Sequence, residues 1–158
     1  MTRPRVDIVY RFLPQTSPGA GAEFAITPVN CAGWLVRHLK YTLATSAVAA
    51  NRAADLTVDD GTTTYALFAP AVVQAASLTI VYYANPGHSR GSATGAKTAV
   101  DWPTDGLWLP QGHTLRSATE NKDAADQYSA IAIGLIEFPV GTPDWLRPVV
   151  PTLAQMVE

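Results

Sequence analysis

Charge is the first thing this sequence has little of: Lys, Arg, Asp and Glu make up 15% of its 158 residues, against the roughly 25% usual for soluble globular proteins. A surface so sparsely charged suggests that a partner covers part of it. Cysteine is scarcer still. With Cys31 alone, an intramolecular disulfide and a cysteine-based zinc site are both excluded. No motif around Cys31 activates a nucleophile, so its thiol is expected to be buried or half-buried and inert. No uninterrupted apolar run is long enough to span a bilayer, and the N-terminus lacks the apolar core of a signal peptide. A soluble protein made in the cytoplasm, with no membrane partner, is the expectation.

Strong net charge is also missing. A formal value of −2 gives no global field for attracting phosphate backbones, so no nucleic-acid partner is expected. Arg3, Arg5 and Arg11 do gather near the N-terminus, where a short basic arm is more often a solvated tail than a binding element.

The usual signatures of chemistry are absent as well. There is no GxSxG elbow, phosphate-binding glycine loop or dinucleotide fingerprint. His38, His88 and His113 form no i,i+4 or HxH ligand pair. Asp59-Asp60-Gly61 supplies too few oxygen ligands at the offsets of a calcium loop and reads better as a turn. No catalytic residue, cofactor or metal site is assigned, and a non-enzymatic protein is expected.

What the sequence does have is apolar alternation. Hydrophobic residues make up 47%, enough for one packed domain at this length. From Trp34 to Leu43, Leu35, Leu39, Tyr41 and Leu43 face one way and His38, Lys40 and Thr42 the other, the period of a half-buried strand. The pattern is imperfect: Trp34 and Val36 fall on the polar set, and Arg37 interrupts the apolar one. Ala44 to Ala50 loses the period and reads as a loop or a single helical turn. Leu56 to Val58 resumes a strand, and Asp-Gly at 60–61 turns it into Thr62–Phe68 as a hairpin.

Further strands are expected at Val6–Leu13, Glu23–Thr27, Gln74–Ala84, His113–Ala118 and Tyr128–Phe138. His88–Thr98 reads as a loop rich in small residues, either mobile or ordered by contact with a partner. Seven or eight short strands with no sustained helix predict an all-β fold, an antiparallel β-sandwich with jelly roll as the preferred version. Residues 1–30 would form an N-terminal arm with edge strands, 31–138 the sandwich core, and 139–158 a Pro-rich docking tail. Trp102, Trp108, Trp145, Leu146, Val149 and Val150 sit in proline-rich segments and are the candidate interface residues. Arg52 is expected to pair with Asp55 or Asp126 at a corner of the sandwich, a structural role rather than a substrate clamp.

Five stretches taken in order, WLVRHLKYTLATSAVAANR, DLTVDDG, QAASLTIVYY, LWLPQGHTL and ADQYSAIAIGLIEF, resemble small virion proteins of tailed bacteriophages. Those proteins join a strand pair by a TSA-x-VANR-like corner, followed by an LP-x-G-x-x-L turn and a final D-x-x-S-x-I strand. The resemblance spans Trp34 to Phe138. It implies a structural protein of the particle, first a capsid decoration or stabilisation protein, located on the virion and partnered by the major capsid protein or other virion proteins. It also implies a homo-oligomer, with a trimer favoured, and no cofactor. A tail-associated or receptor-binding module that recognises a cell-surface glycan is the alternative; it requires the rings of Trp102 and Trp108 to be exposed and coplanar with an open face.

Overall fold

The structure, a computed structural model, describes residues 9–87, 93–94 and 96–142. Among them are eleven strands and no helix. In chain order these are β1 (Val9–Pro14), β2 (Ala25–Ile26), β3 (Gly33–Ala44), β4 (Ala54–Asp59), β5 (Thr64–Phe68), β6 (Thr79–Ala84), β7 (Ala93–Thr94), β8 (Lys97–Val100), β9 (Leu107–Pro110), β10 (Thr114–Thr119) and β11 (Gln127–Phe138). A seven-stranded sheet runs β1-β11-β3-β6-β8-β7, with β9 also beside β3. A four-stranded sheet runs β2-β10-β4-β5.

Two sequence expectations need amending. The first is full antiparallel pairing: β8 lies parallel to β6, Val81 opposite Lys97 and Ala84 opposite Val100. The second is a loop continuing to Thr98, where β8 instead begins at Lys97. Burial is the reason, because Thr98, Ala99 and Val100 are all enclosed and small side chains suffice to fill the space beside β6.

Side chains from both sheets share one core. Leu39, Tyr41 and Leu43 of β3, with Ile131, Ile133 and Leu135 of β11, join a cluster that includes Leu56 and Val58 of β4 and Leu115 of β10. Fully burying an aliphatic side chain of this size is worth roughly 1.5–3 kcal/mol. Tyr41 crosses between the sheets: its hydroxyl donates to the Ala54 carbonyl at 3.0 Å, and its ring stacks on Tyr82 with centroids 4.8 Å apart.

The flaw in the β3 alternation has a cause. His38 lies opposite Gly134 and Val36 opposite Leu135, which leaves Arg37 as one extra residue on β3. Such a bulge reverses the side-chain parity. Trp34 and Val36 are therefore buried from even positions, and Leu39, Tyr41 and Leu43 from odd ones. A second bulge sits on β11, where Ala130 and Ile131 together face Tyr41; Ala130 takes φ +50° there, a left-handed conformation that costs a non-glycine residue roughly 1–2 kcal/mol. Gly134 serves close packing, since a Cβ at that position would lie 2.9 Å from the Phe12 ring and 3.2 Å from His38 Cβ.

Candidate functional site

The corner motif and the final-strand motif meet inside the protein. Arg52, from TSAVAANR, donates through Nε to Asp126 Oδ2 at 3.0 Å and through Nη2 to Asp126 Oδ1 at 3.3 Å. Its remaining N–H groups reach the carbonyls of Val48 and Ala50, each at 2.7 Å, and Ser46 Oγ at 3.0 Å. Five donors thus have acceptors, as a buried guanidinium requires. Asp126 also accepts from the backbone N–H of Ser46 at 2.7 Å and of Asp123 at 2.8 Å. Burial pushes the Asp126 carboxyl up, but these two N–H groups and the Arg52 guanidinium outweigh it and hold the group below the ordinary carboxylate range.

Gln74 extends this corner. Its backbone exchanges two 2.8 Å hydrogen bonds with Arg52, its amide nitrogen donates to the carbonyls of Leu43 and Leu78, and its amide oxygen accepts from the Tyr82 hydroxyl at 2.8 Å. Arg52 and Gln74 are both fully buried. The cluster joins the two sheets and presents no charge to a ligand.

The LP-x-G-x-x-L motif is a turn. His113 N–H donates to the Pro110 carbonyl at 3.1 Å, and Gly112 takes φ +86°, which glycine adopts without a Cβ clash. Asp59 and Asp60 likewise hold their own turn: Asp60 Oδ1 accepts from the N–H groups of Thr62 and Thr63 at 2.8 and 2.7 Å.

His38 lies on β3 and His113 in the β9–β10 turn. His38 Nδ1 shares a 2.9 Å hydrogen bond with Asn85 Oδ1, while its ring stacks on Phe12 at 6.1 Å. His113 Nδ1 is buried with no hydrogen-bond partner, and His88 lies outside the described residues. Among the described residues no group of three His, Cys, Asp or Glu side chains is placed to hold a metal ion.

One polar cluster was not singled out from the sequence. Glu23 receives Lys122 at 2.6 Å, the Thr119 N–H at 3.0 Å and the Ser117 hydroxyl. Burial raises its pKa, yet Lys122, Ser117 and Thr119 together hold the carboxylate below its usual range. Its partners lie more than 90 residues along the chain, so no local signal marks it.

The two sheets differ in what they turn outward. In the four-stranded sheet, Asp55, Thr57 and Asp59 alternate with the inward Ala54, Leu56 and Val58, and Arg116 of β10 pairs with Asp59 at 2.8 Å. This face of β4 is polar without being open to water, since Thr57 is 6% exposed and Asp55 and Asp59 are half-buried, while Arg116 is exposed. At its β1-β11-β3-β9 end the outer face of the seven-stranded sheet is aromatic and aliphatic, while His38, Lys40 and Thr42 of β3 lie on the same face, Lys40 exposed opposite Tyr83. Tyr10, Ile136, Leu35 and Trp108 are successive cross-strand neighbours on β1, β11, β3 and β9. Phe12 adjoins this row at 65% exposure and Tyr10 is 49% exposed. Val81 and Tyr83 of β6 also face outward, half-buried, between the inward Ile80, Tyr82 and Ala84.

No protein-family model, curated protein or solved structure matches the chain.

The candidate interface residues separate. Trp108 lies on the apolar outer face, half-buried, its ring edge-on to Phe138 at 5.2 Å. Trp102 belongs to the core instead: it is 6% exposed, donates Nε1–H to the Val36 carbonyl at 3.2 Å and packs on Phe68 at 5.0 Å. The coplanar exposed pair needed for a sugar platform is therefore not formed by Trp102 and Trp108. Trp145, Leu146, Val149 and Val150 lie outside the described residues.

Proposed function

We propose that the protein is a non-enzymatic structural component of a phage particle, a capsid decoration or stabilisation protein acting through its interfaces. The observation that carries this reading is the apolar end of the outer face of the seven-stranded sheet, where exposed Tyr10 and Phe12 adjoin half-buried Leu35, Ile136 and Trp108. An apolar sheet face is a docking face. The polar clusters support the same role, since Arg52, Asp126 and Gln74 are consumed in holding the sheets together.

The strand order supports a jelly-roll sandwich as the finer description. With β7, β8 and β9 set aside as an insertion, eight strands remain as β1-β11-β3-β6 and β2-β10-β4-β5. That is the interleaving of a double Greek key rolled into two sheets, an architecture used by viral capsid proteins among others. The partner surface would be the major capsid protein or another virion protein. Binding only the assembled lattice stabilises that lattice by mass action.

The test is to purify virions, identify peptides of this chain and count copies. Hundreds of copies on the head are expected. A handful confined to the tail tip, or none on the particle, rejects the reading.

A further inference from the structure

We propose that β1 is a self-pairing edge: it adds antiparallel to β1 of a second copy across a twofold axis at Phe12, joining two seven-stranded sheets into one. Among the described residues β1 is an outer strand, paired with β11 on one side only. It is also open to solvent, with Val9, Tyr10 and Phe12 exposed at 41%, 49% and 65%. An exposed edge of this length with apolar side chains on both faces is a template for another strand.

The backbone parity says which groups are free. Gln15 N–H donates to the Ile131 carbonyl at 2.8 Å, continuing a regular ladder in which Leu13 faces Ile133 and Arg11 faces Leu135. In an antiparallel pair, hydrogen-bonded and non-hydrogen-bonded positions alternate. Odd residues from Val9 to Gln15 therefore spend their N–H and C=O groups on β11. Tyr10, Phe12 and Pro14 point theirs away. Pro14 fits this assignment, because proline is tolerated in a strand where the missing N–H would face outward.

Those free groups select a register. With Phe12 opposite the second Phe12, the two Phe12 residues exchange a pair of hydrogen bonds, and each Tyr10 N–H donates to the Pro14 carbonyl opposite. Every free donor of β1 is then used, and the missing N–H of Pro14 costs only one bond at each end. Arg11 falls opposite Leu13. The register centred on Arg11 would instead set two guanidinium groups side by side, which like-charge repulsion disfavours. Each Arg11 keeps its own Glu137, 3.6 Å away. On the outer face the two Phe12 rings abut at the axis, and the Tyr10, Ile136, Leu35 and Trp108 rows of both copies become one apolar surface. A second copy is favoured as the occupant because this short strand is complementary to itself in hydrogen bonds and the Phe12-centred register keeps the two Arg11 side chains apart. The arrangement is twofold, so it replaces the trimer implied by the family resemblance with a dimer or a multiple of dimers.

The experiment uses the full chain. Sedimentation and light scattering should find a dimer, and mild oxidation of Phe12→Cys should give a covalent dimer, because paired Cα atoms at the axis lie about 5.5 Å apart, within disulfide range. Tyr10→Cys should stay uncrosslinked, its mate being four residues out of register. Phe12→Glu and Phe12→Lys should each be monomeric by themselves and dimerise when mixed. A wild-type monomer, crosslinking of Tyr10→Cys as fast as Phe12→Cys, or oligomers that persist in both charged variants would each overturn the pairing. The outcome is separable from the virion reading: dimers absent from particles keep the edge and reject that reading, whereas monomers counted in hundreds on the head do the reverse.

Discussion

Arg52 and Asp126 are 74 residues apart in sequence, yet their side chains meet at 3.0 Å with neither exposed to solvent. Removing one partner leaves a buried charge without its counter-ion, a change that costs about 3–5 kcal/mol. Arg52→Met and Asp126→Asn are each expected to lower unfolding free energy by that order. The double variant should lose clearly less than the sum, because the orphaned charge disappears with its partner. Urea denaturation of the four proteins measures this, and strict additivity would rule out the coupling.

Acid sensitivity follows from two lowered carboxyls. Asp126 and Glu23 are both held below their ordinary values in the folded protein, so the unfolded chain takes up protons first as pH falls. Their stabilisation is complete above the unfolded carboxylate values, near pH 4, and is lost as pH drops through the folded ones. Denaturation midpoints should be level near neutrality and decline below about pH 4. Glu23→Gln should flatten the acid limb; an unchanged slope would exclude Glu23 as a contributor.

At the alkaline end the sign reverses. Burial pushes the hydroxyls of Tyr41, Tyr82 and Tyr128 well above the usual tyrosine value, and in Tyr41 the neighbouring Tyr128 and Tyr82 add to the effect. Raised pKa values contribute stability that is present below the unfolded value, about 10, and lost as pH climbs toward the folded ones. Three of the six tyrosines should therefore stay protonated until the protein unfolds. Tyrosinate absorbance would show a second step coincident with loss of β-sheet circular dichroism. A single step completed in the folded state would contradict it.

Cys31 is fully buried, and burial together with the Glu137 charge raises its thiol pKa. Thiol reagents should react with native protein only as fast as it opens and with denatured protein at once. Rapid labelling under native conditions would place the thiol at the surface instead.

The apolar outer face gives a test that leaves the core alone. Leu35→Thr combined with Ile136→Thr puts strand-favouring β-branched residues at both positions and is expected to cost about 1 kcal/mol per site. Incorporation into particles should fall sharply while thermal unfolding stays cooperative. Wild-type incorporation would mean that this face does not dock.

Local pattern carried a good part of the architecture, and particular residues show where it stopped. Leu39, Tyr41 and Leu43 announced β3, Ile131, Ile133 and Leu135 announced β11, and Asp60-Gly61 announced the β4–β5 turn, because alternation and turn chemistry are properties of neighbouring residues. Lys97 to Val100 carried no such pattern, its small side chains becoming a strand only beside β6. The Arg37 bulge appeared in the sequence as a defect in the alternation, and pairing with β11 turned that defect into a change of face.

By itself, then, the sequence determined an all-β chain with its main strands, a cysteine without an activating motif and an arginine in need of a carboxylate. It offered both Asp55 and Asp126 to that arginine, with Asp126 the one assigned to the corner, and it left Trp102 on a docking surface. Tertiary structure decided both. Whether a charge is matched or a ring enclosed depends on segments far apart in the chain, and only the packing of the two sheets brings Asp126 to Arg52 and closes Val36 and Phe68 over Trp102. The same packing set Tyr10, Ile136, Leu35 and Trp108 in one apolar row across four strands, an arrangement that depends on pairing register and that no single strand's periodicity expresses.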